Sequence, residues 1–202
     1  MNAGATTSAR RPRWREKDQT MPTTATTEDI LAFWRSAGPE KWFAKDDAFD
    51  ADIRSRFLSI HEAAALGELA AWENTPEGVY ALMILLDQFP RNLFRGSARA
   101  FATDALALEI AERAIARGFD MAKPVPERRF LYMPFMHAED LAHQERCVSL
   151  CDASDDPEGV KFAVLHRDII HDFGRFPHRN PVLGRETTPQ EQEFLDEGGF
   201  QG

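Results

Sequence analysis

Residues 75–96 read T-P-E-G-V-Y-A-L-M-I-L-L-D-Q-F-P-R-N-L-F-R-G. Thr75 is a helix N-cap and Pro76 suits the first helical position, where its missing N–H costs nothing. From Val79 to Leu86 the stretch is apolar nearly all round, which predicts a central buried helix. Phe89-Pro90 should stop that helix, because proline removes a donor and clashes with the preceding turn. Arg91 and Asn92 then fall just past a helix end.

The same phrase returns at residues 172–185, D-F-G-R-F-P-H-R-N-P-V-L-G-R. An apolar helix again runs into Phe-Pro, an Arg-Asn pair and a further arginine. Two such ends facing each other make a polar, cationic pocket. Each arginine and asparagine also has a plainer use, which is to cap the carbonyls and partial negative charge of a helix C-terminus.

Outward from these motifs the chain reads as helix. Thr26 with Asp29 predicts a capping box, and Gly38-Pro39 an end. Asp46 or Asp47 opens a helix with one apolar stripe, Phe49, Ile53, Phe57 and Ile60. Thr103 or Asp104 caps another that stops at Gly118. Pro126 begins a short helix through Tyr132, which Pro134 breaks, and a longer one runs from about Ala138 to Leu150. Asp156-Pro157 caps the next. Thr188-Pro189 with Glu191 predicts a final capping box. No segment alternates with a period of two, so the expectation is all-α, about eight helices. Their short Pro/Gly connections favour stacked antiparallel hairpins.

The 202 residues, 43% hydrophobic and 28% charged, suit one soluble domain. Residues 26–202 are expected to form it. Residues 1–25, with Arg10, Arg11, Arg13, Arg15 and Lys17 ahead of Met21, read as a disordered basic tail or an upstream start. A net charge of −9 argues against a nucleic-acid footprint. The longest apolar run is too short for a membrane span. Cys147 and Cys151 lie on one side of a helix with poor disulfide geometry, which points to a reducing, cytoplasmic setting. Trp34, Trp42, Phe43 and Trp72 are expected to pack the N-terminal helices, with a peptide groove as their functional alternative.

L-D-Q-F-P-R-N-L-F-R-G at 86–96, F-L-Y-M-P-F-M-H-A-E-D at 130–140 and F-G-R-F-P-H-R-N-P-V-L-G-R at 173–185 resemble one bacterial family, domain of unknown function 924. The likeness covers nearly all of residues 28–196. It implies a tetratricopeptide-like helical fold and leaves the activity open.

Candidate chemistry is densest between His166 and Arg185. Arginine forks suit carboxylate or phosphate oxygens, and histidine moves protons near neutrality. Arg91, Arg95, Arg175, Arg179 and Arg185 are the expected anion ligands, with Asn92, Asn180, Tyr132 and His166 orienting the ligand. His137, Glu139 and His178 are the candidates for proton transfer. Asp87 and Arg91, four apart, fit a structural ion pair. No metal motif, Gly-rich phosphate loop or nucleophile elbow occurs, so neither metal nor cofactor is expected. The partner is a small anionic molecule. A non-catalytic scaffold holding an acidic peptide terminus is the alternative, and the motifs serving only to lock the fold is a third.

Overall fold

The computed structural model describes residues 25–201. The basic segment read from residues 1–25 lies almost wholly outside them. Among the described residues there is helix and no strand. The α-helices are α1 Thr27–Ala37, α2 Pro39–Trp42, α3 Asp47–Ala65, α4 Pro76–Met83, α5 Phe89–Leu93, α6 Asp104–Ala116, α7 Val125–Met136, α8 Leu141–Ala153, α9 Pro157–Phe173, α10 Asn180–Leu183 and α11 Pro189–Asp196. Both capping boxes form, at Thr26/Asp29 and Thr188/Glu191. Asp46, Thr75 and Asp156 each accept backbone N–H groups at their helix starts.

The chain from Gly78 to Pro90 is wholly buried, as its all-round apolarity requires. Each large side chain it sinks is worth about 1.5–3 kcal/mol. α4 packs on α1, α6 and α7, and α5 packs on α3. The α3 stripe of Phe49, Ile53, Phe57 and Ile60 faces inward. Phe33, Trp34, Phe57, Phe89 and Phe130 interlock by their rings, and Trp42 stacks on Trp34 with centroids 5.6 Å apart. Phe43 is 62% exposed, so the fold uses it least of these aromatics. Gly78 lets α4 start hard against the turn Ala70–Asn74: a Cβ there would stand 2.1 Å from the Trp72 carbonyl oxygen. Cys147 and Cys151 are buried free thiols. α6 through α9 contact one another in chain order, while Ile169, Ile170 and Phe176 form a second small core with Phe173 and Phe194.

The prolines behave differently from expectation in two places. Pro134 does not break its helix, because α7 runs through it to Met136. The helix α8 accordingly starts at Leu141, after Asp140 caps it. Nor does Phe89-Pro90 end the central helix. One π-helical turn, Ile84–Gln88, widens the coil, and α5 continues across Pro90. Around the π turn and Pro90, which has no N–H to give, three carbonyls accept from side chains. His61 Nδ1 donates to Leu85 O at 2.8 Å and Thr103 Oγ1 to Leu86 O at 2.5 Å, and Arg91 binds Asp87 O. Thr103 is therefore not a side-chain cap of α6, since its hydroxyl is committed to the π turn. A π turn inside an α-helix is a frequent mark of functional sites. Here it aims Asp87 and Arg91.

Candidate functional site

Asp87 is completely buried. His137, at the C-cap of α7, meets it with Nδ1 2.7 Å from Oδ1. Gln88 donates to the other carboxylate oxygen. Arg91 spans from the Asp87 carbonyl to both oxygens of Asp104, at 3.1 and 3.2 Å, and lies 3.7 Å from Asp87 Oδ1. Asp104 is the first residue of α6, and the Thr103–Leu86 bond holds that helix start against the π turn.

The second motif arrives from the opposite side. α9 ends at Gly174, whose φ of 68° is left-handed. The turn that follows is clamped through Phe176. Its N–H donates to Glu139 Oε1 at 2.8 Å, and its carbonyl accepts from Arg185 at 3.2 Å. Arg185 closes the clamp by gripping Glu139 at 2.6 and 2.9 Å. This geometry places the Arg179 guanidinium against the rings of Phe101 and Phe176, 4.5 Å from each centroid, with Nη1 3.4 Å from Asp104 Oδ2. The two Phe-Pro motifs thus meet, at Asp104.

Three histidines border the junction. His166 lies 6.4 Å from His137 by ring centroids and 5.6 Å from Phe176, and its Nδ1 is bonded to the Phe162 carbonyl. His178 lies 5.7 Å from Phe176. Phe200 stands edge-on to both, 4.6 Å from His166 and 5.3 Å from His178.

Burial lowers the affinity of all three imidazoles for a proton, and the arginines add to it. His178 falls to about 4, with Arg179 the next cause after burial. His166 shifts down through burial, then Arg179 and Arg91, and His137 through burial, then Arg91. Burial also works against the Asp87 carboxylate, but His137 and Arg91 outweigh it and hold Asp87 at about 2. Asp104 is pushed up by burial despite Arg91. Arg179 drops to about 10 through burial and the nearby Arg91. The Asp87 carboxylate, being ionised, accepts from His137 Nδ1–H, which leaves His137 Nε2 as a basic lone pair. That nitrogen has no hydrogen-bond partner among the described residues.

The remaining sequence candidates serve elsewhere. Asn92 and Arg95 both bind Asp50, at 2.8 Å and at 2.9 and 3.0 Å, tying α5 to α3. Arg175 grips Glu191 at 2.6 and 2.8 Å, and Asn180 donates to the same carboxylate at 3.2 Å. Tyr132 donates to Asp120 at 2.8 Å and meets Ser154 at 3.0 Å. Among the described residues, no hydrogen bond or ion pair joins these five to Asp104. The structure thus gives each of them a hydrogen bond to a carboxylate of the fold and does not bring them to Asp104. The expectation of a simply cationic pocket also needs revision, since Asp87, Asp104 and Glu139 face Arg91, Arg179 and Arg185. Asp104, Phe101 and Phe200 are the neighbours that sequence reading missed. Asp104 reads there only as an acid at a helix start.

Satisfaction of hydrogen bonds is uneven. His178 Nδ1, Arg179 Nε, Asn180 Oδ1 and Arg185 Nε are buried and have no partner. A buried polar atom left so costs about 1–3 kcal/mol. All four fall within the second motif, and two of them, on His178 and Arg179, border the junction at Asp104.

The chain is similar to a solved protein of unknown function, ATU0120 from Agrobacterium tumefaciens. The two share 51% identity and a TM-score of 0.83, over 85% of this chain and 97% of that one. No curated protein matches the chain. The family model for the bacterial protein of unknown function DUF924 matches residues 30–199, so the chain belongs to that family.

Proposed function

We propose that the chain binds a small anionic molecule at Arg179 and that the His137–Asp87 pair moves a proton on it. The observation that carries this reading is Arg179 itself. Its residue is 6% exposed, its Nε is unpartnered among the described residues, and its ion pair with Asp104 is long at 3.4 Å. A guanidinium offers five N–H donors and no acceptor, and stays charged when buried. Keeping it nearly dry against apolar rings with one long hydrogen bond to a carboxylate among the described residues suits a site whose other acceptor is a ligand. His178, with its own unpartnered Nδ1, lies beside it in the chain. His137, neutral at pH 7 and backed by an ionised carboxylate, is suited to act as a general base. Glu139 and Arg185 position the turn, and Arg91 sets the field.

A second reading has one observation in its favour. An open surface depression of about 540 Å³ is lined by Arg175, Arg185 and residues 186–189. An acidic peptide terminus would fit such a surface, as in a non-catalytic scaffold of tetratricopeptide type. The two arginines there already grip Glu191 and Glu139, which favours the first reading. The chain-order packing of α6 to α9 is consistent with stacked hairpins, and two free thiols with work in the cytoplasm.

Native mass spectrometry tests the proposal. A small-molecule adduct is expected on the native protein, lost on denaturation and lost in the folded Arg179→Met variant. If the native protein carries no adduct and no carboxylate or phosphate raises its thermal midpoint, the reading fails.

A further inference from the structure

Beyond α11 the chain doubles back over the histidines, and two glycines route it. Gly198 takes a left-handed φ of 84°. Gly199 passes so close to Phe194 that a Cβ would stand 2.5 Å from its carbonyl oxygen and 2.6 Å from its ring. The outcome is Phe200 set edge-on against both His166 and His178. The segment's hydrogen bonds stay local: the Gly198 N–H donates to the Leu195 carbonyl at 3.2 Å, the Gly199 N–H to the Phe194 carbonyl at 2.9 Å, and Gln201 to the carbonyls of Leu195 and Gly199. Toward the rest of the protein it offers the Phe200 ring, packed on the small core of Ile169, Ile170 and Phe176. A segment whose described hydrogen bonds stay within itself and α11 is open to local displacement.

Charge narrows what could enter. Three carboxylates, Asp87, Asp104 and Glu139, already balance three guanidiniums, Arg91, Arg179 and Arg185, while burial keeps the imidazoles neutral. A single negative charge on Arg179 leaves a small excess, and a dianion a larger one in a dry setting where unpaired charge is expensive. The surroundings of Arg179 are also aromatic, with the Phe101 and Phe176 rings each 4.5 Å from its guanidinium.

Resting on the anion site proposed above, we infer that residues 198–201 are a displaceable lid whose Phe200 ring holds the place of the ligand's own apolar group. The ligand class is then a singly charged carboxylate bearing an aromatic or comparably flat apolar group. Its carboxylate replaces the missing acceptor of Arg179, and its ring takes over the edge of His166 and His178.

Benzoate, acetate and inorganic phosphate titrated into the protein, with histidine resonances as the readout, test this. Benzoate is expected to bind at least tenfold more tightly than acetate or phosphate. In Phe200→Ala, where its competitor is gone, benzoate should bind about tenfold more tightly again, with acetate little changed. Phe200→Leu, which keeps apolar cover over the histidines, should fall between. Equal gains for acetate and benzoate in the variants, no gain for benzoate, or a preference for phosphate would overturn the lid and the ligand class while leaving an anion site standing. If none of the three binds to any of these proteins, the anion site fails too.

Discussion

Arg91 and Arg179, 88 positions apart in sequence, close on one carboxylate. Arg91 reaches Asp104 with both terminal nitrogens at 3.1 and 3.2 Å, and Arg179 reaches it at 3.4 Å. The contact joins the two copies of the Phe-Pro motif through a third element, the first residue of α6. Asp104→Asn removes the carboxylate that both guanidiniums share. Unpairing a buried ion typically costs about 3–5 kcal/mol. A loss of unfolding free energy of that order is expected in urea denaturation. A loss below about 1 kcal/mol, the worth of a surface pair, would mean the junction does not hold the motifs together.

The histidines supply a pH dependence of defined sign. His61, His137, His166 and His178 are all shifted down from 6.5 by burial, and His178 reaches about 4. The unfolded chain therefore takes up protons that the folded chain refuses. Their contribution to stability is complete above pH 6.5 and is lost as pH falls, for His178 down through about 4. Histidine ring spectra recorded from pH 8 to 4 should show His178 neutral at pH 6, and His61, His137 and His166 each titrating below 6.5. An imidazole of His178 that is half-protonated at pH 6 or above would contradict the burial of the junction.

Glu191 gives an acid limb with the same sign at lower pH. Arg175 holds its carboxyl at about 2, against an ordinary value of 4.5, with the Thr188 cap and Asn180 assisting against the cost of burial. A carboxylate depressed by folding contributes fully above 4.5 and loses its contribution between about 4.5 and 2. Glu191→Gln should lower the thermal midpoint at pH 7 and flatten its fall between pH 4.5 and 2. A midpoint profile with the native slope would show that Glu191 does not report the closing of α11 onto Arg175.

Much of this architecture was legible in sequence because its signals are local. Capping boxes at Thr26 and Thr188, the Pro76 start and the α3 stripe each depend on neighbours within a few residues. The central helix was legible from its apolarity alone. What was hidden depended on distant partners. Pro90 reads as a stop, yet the helix continues across a π turn whose carbonyls accept from His61, Thr103 and Arg91. The repeated Arg-Asn chemistry signalled that something is shared, but not which members meet. Asn92, Arg95, Arg175 and Asn180 find carboxylates at Asp50 and Glu191, and only Arg91 and Arg179 converge. Asp104, the residue that joins them, looks in sequence like any acid at a helix start.

Tyr132 separates scaffold from site. Its hydroxyl bonds Asp120 and Ser154 at 2.8 and 3.0 Å, away from Asp104. Tyr132→Phe should cost about 1–2 kcal/mol of stability and leave anion affinity unchanged. A fall in affinity without a fall in stability would return Tyr132 to the site.

Asp87 decides which nitrogen of His137 carries the proton. The buried, ionised carboxylate can only accept, so it fixes the hydrogen on Nδ1 at 2.7 Å and leaves Nε2 as the base. In Asp87→Asn the amide NH₂ can donate to Nδ1, which favours the opposite tautomer with the hydrogen on Nε2. The ring then offers a donor where the native protein offers a base. Nitrogen-15 shifts of the labelled imidazole distinguish the two forms directly. The native protein should show Nδ1–H at neutral pH and the variant Nε2–H, with catalysis, wherever it is found, lost in the variant even though the ring stays in place. If native His137 carries its hydrogen on Nε2, it cannot be the general base, and proton transfer at this site must be sought at His178.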